Sequence, residues 1–247
     1  MAKLEWLMRP IAHRGLHDST KGIVENTASA IQAAIDASYA IEIDVQEARD
    51  GAAMVFHDST LGQLTEATGH VSAYGSKQLK RIALKGVSDR LRTLPEVLEQ
   101  VAGRVPLLIE IKSDWGGRGP FEAELAQNLK SYDGQAAVMS FDPNAVAAFA
   151  SHAPDFPRGL TAGPFRNLQY WGHLHAWQRF YMRHLLSASI ARPHFVAYDI
   201  DGLAALAPVI WRQMMNRTLL TWIVRSDAER KRAQRWADAM IFEGFRP

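Results

Sequence analysis

The segment Ile41-Glu42-Ile43-Asp44-Val45 alternates apolar and acidic residues with a period of two. Folded as a strand, it puts Glu42 and Asp44 on one face and three branched apolar side chains on the other. Carboxylates pointing inward together are costly, through desolvation and like charge, unless something positive neutralises them. Hard oxygen ligands at this spacing suit Mg²⁺ or Ca²⁺ better than zinc; the plainer alternative is an ion pair with an inward Arg or Lys. Leu107-Leu108-Ile109-Glu110-Ile111-Lys112 repeats the design and adds Glu110 as a third carboxylate. Lys112, on the same face, either completes an anion site or only neutralises the cluster. His13-Arg14-Gly15 and His57-Asp58 each stand at the end of a short apolar run. A single histidine is most often structural, but two at strand exits beside an acidic cluster form a set that can move protons.

Phosphodiester hydrolysis would use all of these groups. It needs a base for the attacking hydroxyl, an acid for the leaving alkoxide and positive charge around the phosphoryl oxygens. His13 and His57 can supply the proton transfers, Arg14 a planar fork matched to phosphate, and Lys112 a point charge. A cation on the carboxylates would lower the pKa of a bound hydroxyl.

Such groups converge only if the strands that carry them lie side by side. Strand-like runs occur at Pro10–His13, Ala40–Gln46, Pro106–Lys112, Ala136–Phe141, Arg158–Thr161, His194–Tyr198, Thr218–Val224 and Asp238–Phe242. Helix-like segments separate them: Asn26–Ser38, Pro120–Tyr132, Asn144–Ser151, Leu168–Ser187, Leu203–Asn216 and Ala228–Trp236. The alternation predicts parallel βαβ units in an α/β protein, and eight such strands predict a single TIM-type (β/α)8 barrel. An open doubly wound sheet would need fewer strands and usually a G-x-G-x-x-G turn, which this chain does not contain. The first helix starts at Asn26 or Thr27, both good caps, and sets Ala30, Ile31, Ala34 and Ile35 on one stripe. One region breaks the rhythm: Met54–Phe56, a polar stretch from Asp58 to Arg92, and a short helix from Pro95 to Ala102. It reads as an insertion of roughly residues 58–104 at the top of a single 1–247 domain, between the second and third barrel strands.

The chain has 247 residues, 47% of them hydrophobic, which is enough for one barrel core. It has no cysteine, which excludes disulfides, thiolate metal sites and cysteine nucleophiles. Lys and Arg total 28 against 26 Asp and Glu, a balance that does not favour a nucleic-acid partner. The N-terminus lacks a signal-peptide pattern and no run of about eighteen apolar residues occurs, so a cytoplasmic protein without stable membrane insertion is expected.

The ordered set His13-Arg14-Gly15, Glu25-Asn26-Thr27, Glu42-Ile43-Asp44, Val55-Phe56-His57-Asp58, Leu94-Pro95-Glu96-Val97-Leu98, Glu110-Ile111-Lys112, Ser140-Phe141-Asp142 and Thr221-Trp222 spans nearly the whole chain. It resembles the glycerophosphodiester phosphodiesterases. The resemblance implies a barrel with a small insertion and hydrolysis of a glycerophosphodiester, such as glycerophosphocholine, to glycerol 3-phosphate and an alcohol. It implies His13 and His57 as the acid/base pair, and Glu42, Asp44 and Glu110 as ligands of one divalent cation, Mg²⁺ or Ca²⁺ with Mn²⁺ a third option. Arg14 and Lys112 would hold phosphate, and Trp222 would line the pocket near the glycerol or the metal. Asn26 would support the site, or serve as a plain N-cap. Three places depart from the family pattern: Leu61-Gly62-Gln63 lacks the family's arginine, Val24 replaces a proline, and Phe242-Glu243-Gly244-Phe245-Arg246-Pro247 replaces a Thr-Asp pair. Two alternatives follow, a lysophospholipase D-type enzyme acting on acylated substrates and a phosphodiester-binding protein without turnover.

The stretch from Phe165 to Leu186 is unusually aromatic, with Leu168, Trp171, Leu174, Gln178, Tyr181 and Leu185 near one stripe and Trp177, Phe180 and His184 beside it. The preferred reading is a barrel helix with a broad buried face; the alternative is peripheral lipid contact, with Arg166, Arg179 and Arg183 flanking the rings. His173 and His175, two apart, do not face one another on a helix and are not read as ligands. Arg225, Arg230, Lys231, Arg232 and Arg235 alternate with Asp227 and Glu229, as on a solvated helix face. His17, His70, His152 and His194 show no partner pattern.

Overall fold

The computed structural model describes residues 4–115 and 119–247; the first three residues of the N-terminal stretch searched for a leader lie outside these. Among the described residues the strands are β1 (Ile11–Ala12), β2 (Ala40–Glu47), β3 (Ala53–Val55), β4 (Arg92–Thr93), β5 (Leu107–Ile111), β6 (Ala136–Ser140), β7 (Arg158–Ala162), β8 (Phe195–Asp199), β9 (Thr218–Val224) and β10 (Ala239–Phe242). Eight of them pair in parallel in the order β1-β2-β5-β6-β7-β8-β9-β10. The circle closes where β1 meets β10, through Ile11↔Ile241 and Ala12↔Phe242. This is the (β/α)8 barrel that the eight strand-like runs predict.

The helices are α1 (Ala28–Asp36), α2 (Ser76–Leu79), α3 (Leu94–Val101), α4 (Pro120–Lys130), α5 (Pro143–His152), α6 (Leu168–Trp171), α7 (Ala176–Arg183), α8 (Ala188–Ala191), α9 (Leu206–Val209) and α10 (Asp227–Trp236). Ile41, Ile43, Val45, Leu107 and Ile109 point outward and pack with Ile31, Leu94, Val97 and Leu125 in the layer between strands and helices. The alternate residues Ile11, Ala40, Leu108, Met139, Phe195 and Leu220 fill the barrel interior, with Leu7 buried among them and Leu4 and Trp6 packed alongside. Leu4 N–H donates to Thr218 Oγ1, so this N-terminal segment closes the end of the barrel at which the strands begin. With Ala40 and Leu108 facing inward, the period of two sends Glu42, Asp44 and Glu110 inward as well, toward the strand C-termini. Asp44 pairs in register with Glu110.

Three sequence expectations change. The helix read with the insertion is α3, and its Leu94, Val97, Leu98 and Val101 are buried in the barrel wall. The excursion proper runs through antiparallel β3 and β4 and has its own small core of Met54, Phe56, Leu61, Val71, Leu79 and Leu91. The long helix expected over Leu168–Ser187 is instead α6 and α7, with Ser187 as the N-cap of α8, and is interrupted at Gly172, which ends α6, and at Leu185, which takes a left-handed φ of 57°. Its broad buried face is also reduced: Leu174, Met182 and Leu185 are buried, while Leu168, Trp177 and Phe180 are exposed. The segment expected to form a helix over Leu203–Asn216 becomes α9 followed by a π-helical turn at Ile210–Met214. Among the described residues no helix is long and apolar enough to cross a membrane.

Candidate active site

The site begins in the turn after β1. Arg14 and Gly15 both adopt left-handed φ, 53° and 78°. A Cβ on Gly15 would lie 2.8 Å from the Ala30 carbonyl carbon, so only glycine fits there. The turn aims the Arg14 backbone N–H at Glu42 Oε2 (2.9 Å), and the Gly15 N–H donates to the Glu42 carbonyl (3.1 Å). Asn26, with φ 57°, ties into the same turn by donating its N–H to the Arg14 carbonyl (2.9 Å). Its side chain then clamps Asp44: Nδ2 donates to Asp44 Oδ2 (2.9 Å) and Oδ1 accepts from the Asp44 N–H (3.2 Å). Asn26 is therefore not the helix cap; Thr27 is, accepting the Ala30 N–H.

Glu42 and Asp44 are each 1% exposed and Glu110 is 7% exposed, and one oxygen from each lies within 4.8 Å of the others. Lys112 Nζ sits 2.8 Å from Asp44 Oδ1 and 2.5 Å from Glu110 Oε1. Arg14 places Nη1 2.7 Å from Glu25 and Nε 3.3 Å from Asp44, so its fork is turned toward carboxylates. Burial raises the Glu42 pKa well above the ordinary range, and the charges of Asp44 and Glu110 raise it further. Burial opposes ionisation of Asp44 too, but Lys112, His57, Arg14 and His13 outweigh it and hold its pKa low. Lys112 behaves in reverse: burial disfavours its charge, yet Asp44 and Glu110 push its pKa up. A strained Glu42 among converging, buried oxygens is what a divalent cation would relieve. The donor set fits a hard cation, and the three carboxylates are the residues that could hold it.

Both histidines are built alike. His13 Nδ1 lies 2.6 Å from Glu243 Oε2, and His57 Nδ1 lies 2.7 Å from Asp58 Oδ1. In the neutral ring each Nδ1–H donates to its carboxylate, which leaves Nε2 as the proton acceptor. His13 Nε2 is 3.9 Å from Glu42 Oε2. Burial lowers the His13 pKa despite the Glu243 hydrogen bond, so the ring is neutral near pH 7. His57 is set by the strand: the Phe56 N–H bonds the Asp44 carbonyl, and Gln46 Nε2 donates to the His57 carbonyl.

Trp222 lies on the inward face of β9, packs against the interior cluster and donates Nε1–H to the Ala197 carbonyl (3.0 Å). Its ring meets Phe141 edge-on at 5.5 Å. The structure thus brings His13, Arg14, Asn26, Glu42, Asp44, Glu110 and Lys112 into one contact network, with His57 acting on Asp44 and Trp222 on the same interior face. Sequence reasoning missed Glu243, which accepts from His13 and from Arg225 Nε (2.6 Å) and lies 3.7 Å from His17 Nε2. Burial opposes its charge, but the hydrogen bonds with His13 and Arg225 and the nearby His17 ring hold its pKa far below the usual carboxylate range. Its signal was the departure at the end of the last strand, where an acidic residue persists after Phe242. Glu25, the anchor for Arg14, lay in view as the first residue of Glu25-Asn26-Thr27. Gln63, another of the three departures, is exposed on the excursion.

Comparison with known proteins adds an independent view. The sequence profile of the Glycerophosphoryl diester phosphodiesterase family matches residues 13–243. A glycerophosphodiester phosphodiesterase of Caldanaerobacter subterraneus subsp. tengcongensis is 31% identical over 160 residues, covering 61% of this chain and 65% of that protein. The matched part of the chain thus spans just under two thirds of that relative's length. The structure of an Oleispira antarctica phosphodiesterase in complex with the product sn-glycerol-3-phosphate superposes with a TM-score of 0.76 at 21% identity, covering 95% of this chain and 92% of that one. A putative glycerophosphodiester phosphodiesterase from Galdieria sulphuraria gives a TM-score of 0.77 at 17% identity, covering 95% and 93%. These two share the barrel fold.

Proposed function

The chain belongs to the glycerophosphoryl diester phosphodiesterase family, and from that premise we propose that it hydrolyses glycerophosphodiesters such as glycerophosphocholine to glycerol 3-phosphate and an alcohol. The observation that carries this reading is His13: Nδ1 held by Glu243, Nε2 facing the buried trio Glu42, Asp44 and Glu110. Hydrolysis breaks the bond between phosphorus and the alkoxide oxygen of the head group. His13, neutral because it is buried, takes the proton of the attacking hydroxyl at Nε2 as that oxygen bonds to phosphorus, and His57, acting in this step as the imidazolium, gives its Nε2 proton to the leaving alkoxide. Lys112 and Arg14 set positive charge beside the phosphoryl oxygens, Asn26 holds Asp44 in place, and Trp222 gives the glycerol an apolar wall. Glu42, Asp44 and Glu110 would hold one divalent cation, Mg²⁺, Ca²⁺ or Mn²⁺, which when bound supplies charge to the phosphoryl group and acidity to a hydroxyl. The same reading takes the chain as one barrel domain whose excursion from β3 to β4 handles substrate.

The test is a head-group panel with and without chelator. Turnover of glycerophosphocholine that chelator abolishes, and that His57→Ala and Glu42→Ala each lower by about 10² or more without loss of the circular dichroism signal, is the expected outcome. Near-normal rates in either variant overturn the roles assigned. A rate that is higher on lysophosphatidylcholine moves the substrate to the acylated class, for which the ring contact from Trp222 through Phe141 to Trp171 (4.9 Å) would offer an acyl platform. Binding of glycerophosphocholine by calorimetry with no product would leave only the non-catalytic alternative.

A further inference from the structure

From Phe156 to Tyr198 the chain carries five arginines, four histidines and no Asp or Glu, within a protein whose overall charge is nearly balanced. The short helices α6, α7 and α8 fall in this stretch, and they leave large apolar side chains in solvent: Leu168 (61% exposed), Tyr170 (72%), Trp177 (66%), Phe180 (58%), Leu186 (47%) and Ile190 (44%). α7 is anchored from one side by buried Met182, with Leu174 and Leu185 buried at its flanks. Its other side carries Trp177, Phe180 and His184 at helical spacing, the last two rings 4.3 Å apart. Exposure on this scale in one segment marks a contact surface rather than scattered apolar residues. The segment leaves β7 at the end of the barrel where the strands finish, the end toward which Glu42, Asp44 and Glu110 point, so α6 starts there; Arg183 lines a cleft with Arg166 at that end, while α8 leads back to the start of β8.

We propose that this surface docks the protein on an anionic lipid bilayer. The apolar side chains of α6 and α7 would enter the boundary between headgroups and acyl chains, while Arg166 and Arg183, which line one cleft, meet the negative headgroups. Two other partners fit less well. Nucleic acid would use aromatic rings for stacking but has no use for exposed Leu168, Leu186 and Ile190. A second copy of the chain, meeting this surface with itself, would set arginine against arginine, with Asp201 beside Arg166 and Arg183 to pair only part of that charge. The inference stands on this surface alone; the catalytic reading adds only that the docked protein would turn the open end of its barrel toward the bilayer.

The experiment is co-sedimentation of the full chain with vesicles of phosphatidylcholine alone or mixed with an equal part of phosphatidylglycerol. The protein should pellet with the mixed vesicles and not with phosphatidylcholine alone, and high salt should release it. Trp177→Ser/Phe180→Ser and Arg166→Gln/Arg183→Gln, all at positions outside the catalytic network, should both keep the circular dichroism spectrum and weaken partitioning. At about fivefold for each charge removed, the arginine variant should lose roughly 25-fold. Absence of vesicle binding, or binding that neither double variant reduces, overturns the proposal. So does a concentration-dependent dimer that Trp177→Ser/Phe180→Ser dissolves, or an oligonucleotide retained by the parent and released by the arginine variant, since either outcome gives the surface to another partner.

Discussion

Glu243 accepts hydrogen bonds from His13 and Arg225 and stands near His17, and these contacts give it a testable place in the chemistry. It touches the imidazole rather than substrate, so it acts as a positioning residue. Glu243→Gln should keep the fold and lower kcat/KM by about 10²-fold, as expected when a general base loses its orientation and its partner charge. A purely structural role would leave the pH profile alone. Glu243 raises the His13 pKa through its hydrogen bond and charge, so removing it should move the acidic limb of the profile to lower pH. The same variant separates a stability effect. The folded-state pKa of Glu243 is depressed, so its contribution is fully present above the unfolded value near ~4.3 and is lost as pH falls toward the folded value. Denaturant midpoints of parent and Gln variant should therefore converge as the solution is acidified. That Glu42, Asp44, Glu110 and Lys112 share an inward face was legible because alternation within a strand fixes which residues lie together, and the two histidines were visible as residues just past apolar runs. Glu243 was not, because its partner lies at the opposite end of the chain and no local spacing links the two.

At the scale of elements, the turn joining β1 to α1 carries more constraint than its length suggests. Arg14, Gly15 and Asn26 all lie in the left-handed region, and their backbone groups fix Glu42 and, through Asn26, Asp44. Gly15→Ala should cost about 2 kcal/mol or more, from the left-handed backbone and from overlap with Ala30, and should lower activity with stability. A chemical denaturation midpoint measures it; an unchanged midpoint would mean that the turn relaxes freely. Whereas β4, antiparallel and polar, was read as part of a polar stretch, the eight barrel strands were read within a residue because parallel strands buried on both sides are short apolar runs with sharp ends. The helices after β7 were not, because apolar spacing alone cannot tell a long buried helix from three short ones whose apolar residues lie partly in solvent. α3 could have been assigned to the barrel wall. Thr93-Leu94-Pro95-Glu96 is a readable helix start, and in the structure the Thr93 N–H donates to Glu96 Oε2 (2.9 Å).

For the molecule as a whole, the nearly balanced formal charge conceals two segregated regions, the acidic cluster inside the barrel mouth and the arginine-bearing stretch from Phe156 to Tyr198, which contains no Asp or Glu. The first should couple stability to cations. At about 100 times its dissociation constant, a divalent ion that binds only the folded chain adds roughly 2.7 kcal/mol, which corresponds to a rise of roughly 5–10 °C in Tm at this size. Glu110→Gln should remove most of that rise. Because Glu42 is held toward its protonated form, binding should also release a proton, so calorimetric heats should change with the ionisation enthalpy of the buffer. Composition revealed only the balance; the segregation needed the fold. Closure of the circle has a consequence of another kind. β1 supplies Ile11 and Ala12 and pairs with Ile241 and Phe242, and His13, directly after β1, receives Glu243, directly after β10. During synthesis the earliest strand therefore waits for the last one, and the loop to be closed is nearly the whole chain. β2 and β5, which carry the carboxylate trio, are therefore made well before Glu243, and the histidine that handles protons can be oriented only once β10 has been added.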